Sequence, residues 1–426
     1  MFPPARALIA LIAAMLSALG TALPASAEDL IDAIQDALQT HPRLQEERAN
    51  LRAAREALPI ALAPYRPQIS LQATTGRSDR RAVLADNSEI DDETSPSTYS
   101  LNASQLIWSS GRRSIAQRRG ILEVRLAEAR YAAAERAIIL DVSAAFLDLQ
   151  FREDSLQIET QTRDGLFEQS RAVETRFERG QATRTDIAQI AARLADAQAR
   201  VAAAQANLTT ARARFERQTG LPPEAPRWSD ITLPNWDIED LQQSVRDNSH
   251  EIAAARIEAE LARLNLMDAQ RANSPTVSLG LQRNESEDVS PAVTEDDETR
   301  LSLSLNVPLM RGGENRARRR QAVAYRSAAR HALRDREAEM DLVTIETWAR
   351  LLAARAAMRA QEERLRAAET ALEGVTRGQS AGLWTTPDVL DATEETLRAR
   401  LSLAEARNAW RSATVELALM TGELVY

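Results

Sequence analysis

The sequence predicts a mainly α fold with a small β part, in which one helix–strand–strand–helix–helix unit is written twice. Three observations predict it. Hydrophobic residues make up 44% of the 426 positions but aromatic residues only 4%, so the apolar content is largely alanine, the best helix former and a poor filler of thick cores. Short segments recur about 200 residues apart, the mark of a duplicated unit. Two pairs of segments alternate apolar and polar side chains at period two, as strands with one dry and one wet face do.

The elements follow in order. Arg6 precedes an apolar run from Ala7 to Leu19, and Ala25-Ser26-Ala27 supplies a small-x-small cleavage signal. Residues 1–27 are therefore expected to be a signal peptide that takes the chain out of the cytoplasm. The first unit is assigned to residues 28–220. It opens with a helix over about 40–63, then strands over about 66–76 and 99–108. Ile69, Leu71 and Ala73 share one side of the first strand, and Leu101, Ala103 and Ile107 one side of the second. Residues 112–178 hold no proline and carry a helical stripe from Leu122 to Phe177, which predicts one helix of roughly 100 Å. A turn is placed near 180, at Arg179-Gly180-Gln181. Beyond it Ile187, Leu194, Val201, Leu208 and Phe215 repeat as a heptad against Ile190, Ala197, Ala204 and Ala211. Large residues facing alanines let helix axes approach closely.

Pro222, Pro223, Pro226 and Pro234 forbid a continuous helix through 221–236, assigned as a connector. The second unit, 237–426, repeats the first. Pro67-Gln68-Ile69-Ser70-Leu71 returns as Pro275-Thr276-Val277-Ser278-Leu279, 208 residues on; Gly180, Thr183 and Asp186 return as Gly382, Thr385 and Asp388, 202 residues on. The change in offset predicts a loop six residues shorter in the second copy, between the strands, where length varies easily. Strands are expected over about 275–283 and 300–309, and a turn near 382. The acidic segments 77–98 and 283–300 are expected to be loops.

Composition excludes several functions. The formal charge of −9 argues against nucleic-acid binding. There is no cysteine, hence no disulfide, thiolate metal site, cysteine nucleophile or lipidated cysteine. His41, His250 and His331 lie far apart in sequence. No nucleotide-binding glycine loop, nucleophile elbow or metal-ligand spacing occurs, so neither an enzyme nor a cofactor is expected. All 53 basic residues are arginine. The longest apolar run beyond the leader is too short for a transmembrane helix, so any membrane span must be made of strands. Four strands cannot close a barrel, so such a span requires oligomerisation.

The duplicated architecture, the passage Pro308-Leu309-Met310-Arg311-Gly312-Gly313, and the run Gly382-Leu383-Trp384-Thr385-Thr386-Pro387-Asp388-Val389-Leu390-Asp391-Ala392 together resemble the TolC family of outer-membrane efflux and secretion channels. The resemblance covers essentially the whole chain after the leader. It implies a homotrimer with a 12-stranded β-barrel continued by a long α-helical barrel, in the outer membrane of a Gram-negative bacterium and reaching into the periplasm. It implies a periplasmic adaptor and an inner-membrane pump or ABC exporter as partners. The alternative is a soluble periplasmic coiled-coil adaptor or scaffold, which the paired strands disfavour.

By that resemblance Asp388 and Asp391 ring the periplasmic mouth, where threefold carboxylates would favour cations; Asp388 at a helix start also suits a helix cap. The family's closed state uses a tyrosine and an arginine where this sequence has Gln379 and Trp384, facing Thr185 and Asp186. The closed state is then expected either to be weaker or to be held by packing of Trp384 or by Arg184 and Arg179. The turns Arg179, Gly180, Gln181 and Ala381, Gly382, Leu383 are the expected adaptor-docking surface. Arginines next to the strands form a second cluster: Arg112, Arg113, Arg118 and Arg119 in one copy, and Arg311, Arg316, Arg318, Arg319 and Arg320 in the other. Outer-membrane phospholipid head groups are their expected partner.

Overall fold

The computed structural model describes residues 29–83, 89–223, 226–290 and 293–424; the expected signal peptide lies outside them. Helices α1 (Leu30–Thr40), α2 (Pro42–Arg55) and α3 (Ala57–Leu62) lead through a short 3-10 turn into strands β1 (Gln68–Thr75), β2 (Ser78–Val83), β3 (Glu89–Thr94) and β4 (Ser97–Trp108). Helices α4 (Arg112–Glu178) and α5 (Arg184–Thr219) complete the first copy. The second comprises α6 (Ile238–Asn248), α7 (His250–Gln270), β5 (Thr276–Ser290), β6 (Val293–Asn306), α8 (Glu314–Ser380) and α9 (Thr386–Thr421). Matching helices have equal lengths: 67 residues in α4 and α8, 36 in α5 and α9. One counterpart differs. The 21-residue α7 corresponds to a stretch that in the first copy breaks into α2 and α3, where Pro59 withholds a backbone donor.

Two compact units form, and each draws on both copies. Of the described residues, one holds those within 29–45, 134–248 and 341–424; the other holds those within 46–133 and 249–340. Helices α4 and α8 run through both. In the first unit α1 packs on α5, and α6 on α9. Its core is built from Ile138, Ile139, Val142, Phe146 and Leu149 of α4 with Leu208, Ala211 and Phe215 of α5, all essentially buried. The rings of Phe146 and Phe215 lie 6.3 Å apart in a tilted pair, a favourable aromatic geometry. The connector is tied to this unit by Ser229 Oγ, which donates to Asp29 Oδ2 at 2.6 Å, and by the Arg411 guanidinium stacked over Trp228.

The second unit carries the main sheet, antiparallel throughout, in the order β1-β4-β5-β6. Its register aligns Ile69 with Ala103, Leu281 and Leu301, and the next row aligns Leu71 with Leu101. Directly opposed residues share a face. One face therefore presents an apolar band interrupted by Gln105, Arg283 and Thr299, while Gln68, Ser70, Asn102, Gln282, Ser302 and Ser304 line the other. Leu301, Leu303 and Leu305 are 71%, 71% and 66% exposed in the protomer. β1 and β6 are edges, with no partner strand among the described residues.

The segments expected to be loops are strands. β2 and β3 form a separate two-stranded ribbon, and β5 and β6 continue well past 283 and begin well before 300. Charge takes over where apolar alternation stops. Arg81 pairs with Glu89 at 2.9 Å, and Arg77 with Glu93; Arg283 holds Glu285 at 2.5 Å.

Candidate functional site

The helical turns of the first unit are built from the same parts in both copies. α4 is followed by Gly180 with φ +73°, and α8 by Gly382 with φ +78°; this left-handed geometry suits glycine. Gln181 N donates back to Arg176 O at 2.8 Å and Leu383 N to Gly378 O at 2.9 Å, each satisfying a carbonyl orphaned by the helix end. The following helices start with a capping box. Thr183 N and Oγ1 both donate to Asp186 Oδ2 at 2.8 Å, and Asp186 N donates to Thr183 Oγ1 at 3.2 Å. Thr385 N and Oγ1 donate to Asp388 Oδ2 at 2.7 and 2.5 Å. These bonds favour the ionised form, so the hydroxyl and then the amide of Thr385 hold the Asp388 carboxyl below its ordinary pKa.

Below the turns Leu166 and Val173 of α4, Ile190 and Ala197 of α5 and Leu390 of α9 form one buried cluster, with Ala182, Ile187 and Leu194 against it. Leu390 brings the second turn's helix to the first copy's hairpin. That contact places Arg193 Nη2 of α5 3.2 Å from Asp391 Oδ1 of α9. One heptad further on, Arg200 meets three carboxylates: Glu159 at 3.1 Å, Glu394 at 3.6 Å, and Asp196. Burial pushes the Glu159 carboxyl up, against the pull of Arg200.

The expected gate residues divide. Asp388 and Asp186 are each folded into their own cap. Asp391 alone among them reaches the other copy, through Arg193. Trp384 stays within its turn, where its indole covers Gly378: a Cβ there would collide with Cδ1 and lie 2.8 Å from Nε1. Gln379 Nε2 approaches Thr386 Oγ1 at 3.4 Å, also within the turn. Thr185, Arg179 and Arg184 are exposed, as are Gly180, Gln181, Ala381, Gly382 and Leu383. The arginine–carboxylate link between the copies thus exists with its arginine in the first copy. Arg193, Arg200, Glu159 and Glu394 were missed; the heptad spacing of the two arginines on the lattice of α5 was the available signal.

Near the sheet the arginines also divide. Arg112 forms a bidentate pair with Asp268 at 2.9 and 3.2 Å, and that hydrogen bond raises its pKa. Arg318 pairs with Glu314 at 2.5 Å. Arg113, Arg316, Arg319 and Arg320 are exposed.

A sheet with one dry and one wet face, joined in sequence to long antiparallel helical hairpins, defines the class of outer-membrane channel proteins. Comparison narrows it. The family described as "Outer membrane efflux protein" matches residues 33–221 and 241–423, and the chain belongs to that family, the TolC-type channels of the Gram-negative outer membrane that extend into the periplasm. It is 24% identical over 420 residues to the outer membrane efflux protein BepC of Brucella suis biovar 1, covering 97% of this chain and 90% of BepC. It is 25% identical over 421 residues to the alkaline protease secretion protein AprF of Pseudomonas aeruginosa, covering 93% and 84%. The crystal structure of the outer membrane protein VceC of Vibrio cholerae superposes with a TM-score of 0.76 at 21% identity, covering 92% of this chain and 96% of that one.

Proposed function

We propose that three copies of this chain assemble into one outer-membrane duct, a passive exit opened at its periplasmic turns when an adaptor and an inner-membrane pump or ABC exporter dock. The observation that carries this reading is the registered apolar face of the four-stranded sheet. Leaving Ile69, Leu71, Leu301, Leu303 and Leu305 in water forgoes about 1.5–3 kcal/mol each. The total, on the order of 10 kcal/mol, rivals the net stability of a whole domain. A lipid environment removes that cost, and joining the β1 edge of one copy to the β6 edge of the next removes the unpaired backbone. Three such sheets make twelve strands. The energy for transport comes from the pump.

An efflux relative and a secretion relative are about equally similar to this chain, so the duct is proposed as a general exit whose cargo the pump selects. The Asp388 and Asp391 carboxylates, each present three times, line the mouth and make it cation-selective. The exposed turns around Gly180 and Gly382 receive the adaptor.

Single-channel recording in planar bilayers tests the proposal. The mature protein should give cation-selective steps, and Asp388→Asn with Asp391→Asn should weaken both the selectivity and the block by divalent cations. Steps unchanged by the double substitution would move the gate elsewhere. Folded protein that never conducts would favour the scaffold reading.

A further inference from the structure

The sheet register contains one break. Leu106 is paired with Ser278, but the next pair is Trp108 with Val277, so β4 has one residue more than β5 at this point. Such a bulge resets the alternation of the strand that carries it. Without it Trp108 would oppose Thr276 and share the wet face with Leu106. With it Trp108 joins the row of Val277 and Leu305, on the apolar face. Trp108 is 50% exposed there. Tyr99, also 50% exposed, lies on the same face of the same strand, in the row of Ala73 and Glu285. The rows between them hold the apolar band, in which Gln105, Arg283 and Thr299 are the polar members, and acidic residues begin in the Tyr99 row itself. Eight register steps separate the two rings, roughly 27 Å along the strand. At a tilt of about 40° this is on the order of 20 Å across a membrane, close to the height of an apolar band between aromatic girdles.

Charge marks which border Trp108 occupies. The chain next to its row enters the arginine-rich starts of α4 and α8, with Arg113 and Arg311 exposed, while the far border carries Glu285, Asp297 and Glu287. Leu309 and Met310, 88% and 87% exposed, continue the apolar surface toward Arg311.

We infer that the bulge at Ile107 is a membrane-docking device: it turns Trp108 onto the lipid face at the helix-side rim, where the indole seats at the head-group boundary of a phospholipid leaflet beside exposed arginines. An indole prefers that boundary because its ring is apolar and its N–H is a donor. The inference rests on the outer-membrane reading above.

Fluorescence quenching by brominated phospholipids tests it in reconstituted, conducting protein. The chain has six tryptophans, so bromines carried close to the head groups should remove about one sixth of the emission. Deeper bromines should remove less, and Trp108→Phe should abolish the effect. Adding one residue between Val277 and Ser278 should give Ile107 a partner and return Trp108 to the wet face, exchanging lipid quenching for quenching by aqueous iodide. Equal lipid quenching of wild type and Trp108→Phe, in protein that conducts normally, would overturn the inference and leave the channel reading standing. Protein that neither inserts nor conducts would overturn both.

Discussion

At the residue scale, the mouth carboxylates have different partners and so different expected behaviour. Thr385 stabilises ionised Asp388, so the contribution of that contact is complete above the ordinary carboxylate pKa of about 4 and is lost as pH falls through the lowered value. The thermal stability lost in Asp388→Ala, followed by circular dichroism, should be constant from neutral pH to about 4 and fade only in stronger acid. Asp391 pairs instead with Arg193, and their side chains are 75% and 43% exposed. Exposed pairs contribute about 0.2–1 kcal/mol each, and the proposed trimer holds three, so Arg193→Ala should raise the ratio of open to closed dwell times in bilayer recordings by between about threefold and about 150-fold. No change in dwell times would mean that the pair does not hold the mouth. Trp384 over Gly378 is a third test. Gly378→Ala gains up to about 1 kcal/mol of helix propensity and loses about 1–3 to the collision, so overall stability should fall by about 0–2 kcal/mol. The displaced indole should emit further to the red and become open to iodide. Asp388 was legible as an acid at a helix start, and both carboxylates through the resemblance of their run to the family. The partner of Asp391 was not, because Arg193 meets it only through the packing of Leu390 between two copies.

At the element scale, the helices were the most legible part of the chain. Absence of proline and a closing glycine marked α4, α5 and α8, and α9 holds its one proline, Pro387, in the first turn, where a helix tolerates it; propensity and packing agree there. The split of α2 from α3 and the ribbons at the strand tips were not legible. In those ribbons the alternating signal is charge, which resembles a solvated loop when the cross-strand partner is unknown. The bulge at Ile107 was hidden for a related reason: it exists only in the register between β4 and β5. Close approach of elements is equally silent in sequence. Gly120 of α4 lies against α3, where an added Cβ would come within 2.8 Å of Leu58 Cα. Backbone yields less than a side-chain tip, so Gly120→Ala should cost about 1–3 kcal/mol, seen as a lower melting temperature. An unchanged melt would show that α3 can move away without loss.

At the scale of the whole molecule, the two edges of the sheet make the strongest claim, because a lone protomer leaves both unpaired. The absence of cysteine makes the closure simple to probe. Ser70→Cys on β1, combined in turn with Ser302→Cys, Ser304→Cys or Asn306→Cys on β6, should yield an oxidised ladder ending at three copies for one of the combinations. No ladder from any of them, in membrane-inserted protein, would contradict edge-to-edge closure. The matched helices carry a further consequence, for how the chain can change in length. Helices α4 and α8 are equal in length, as are α5 and α9, while the strand hairpins differ between copies. A shortened version of the protein therefore has to lose the same number of turns from all four helices at once. A single deletion in one of them would set its knobs against the wrong holes along everything that follows. Insertions and deletions in descendants of this gene should come as coordinated sets in the helices and singly in the hairpins, like a folding ruler whose paired arms must be cut together.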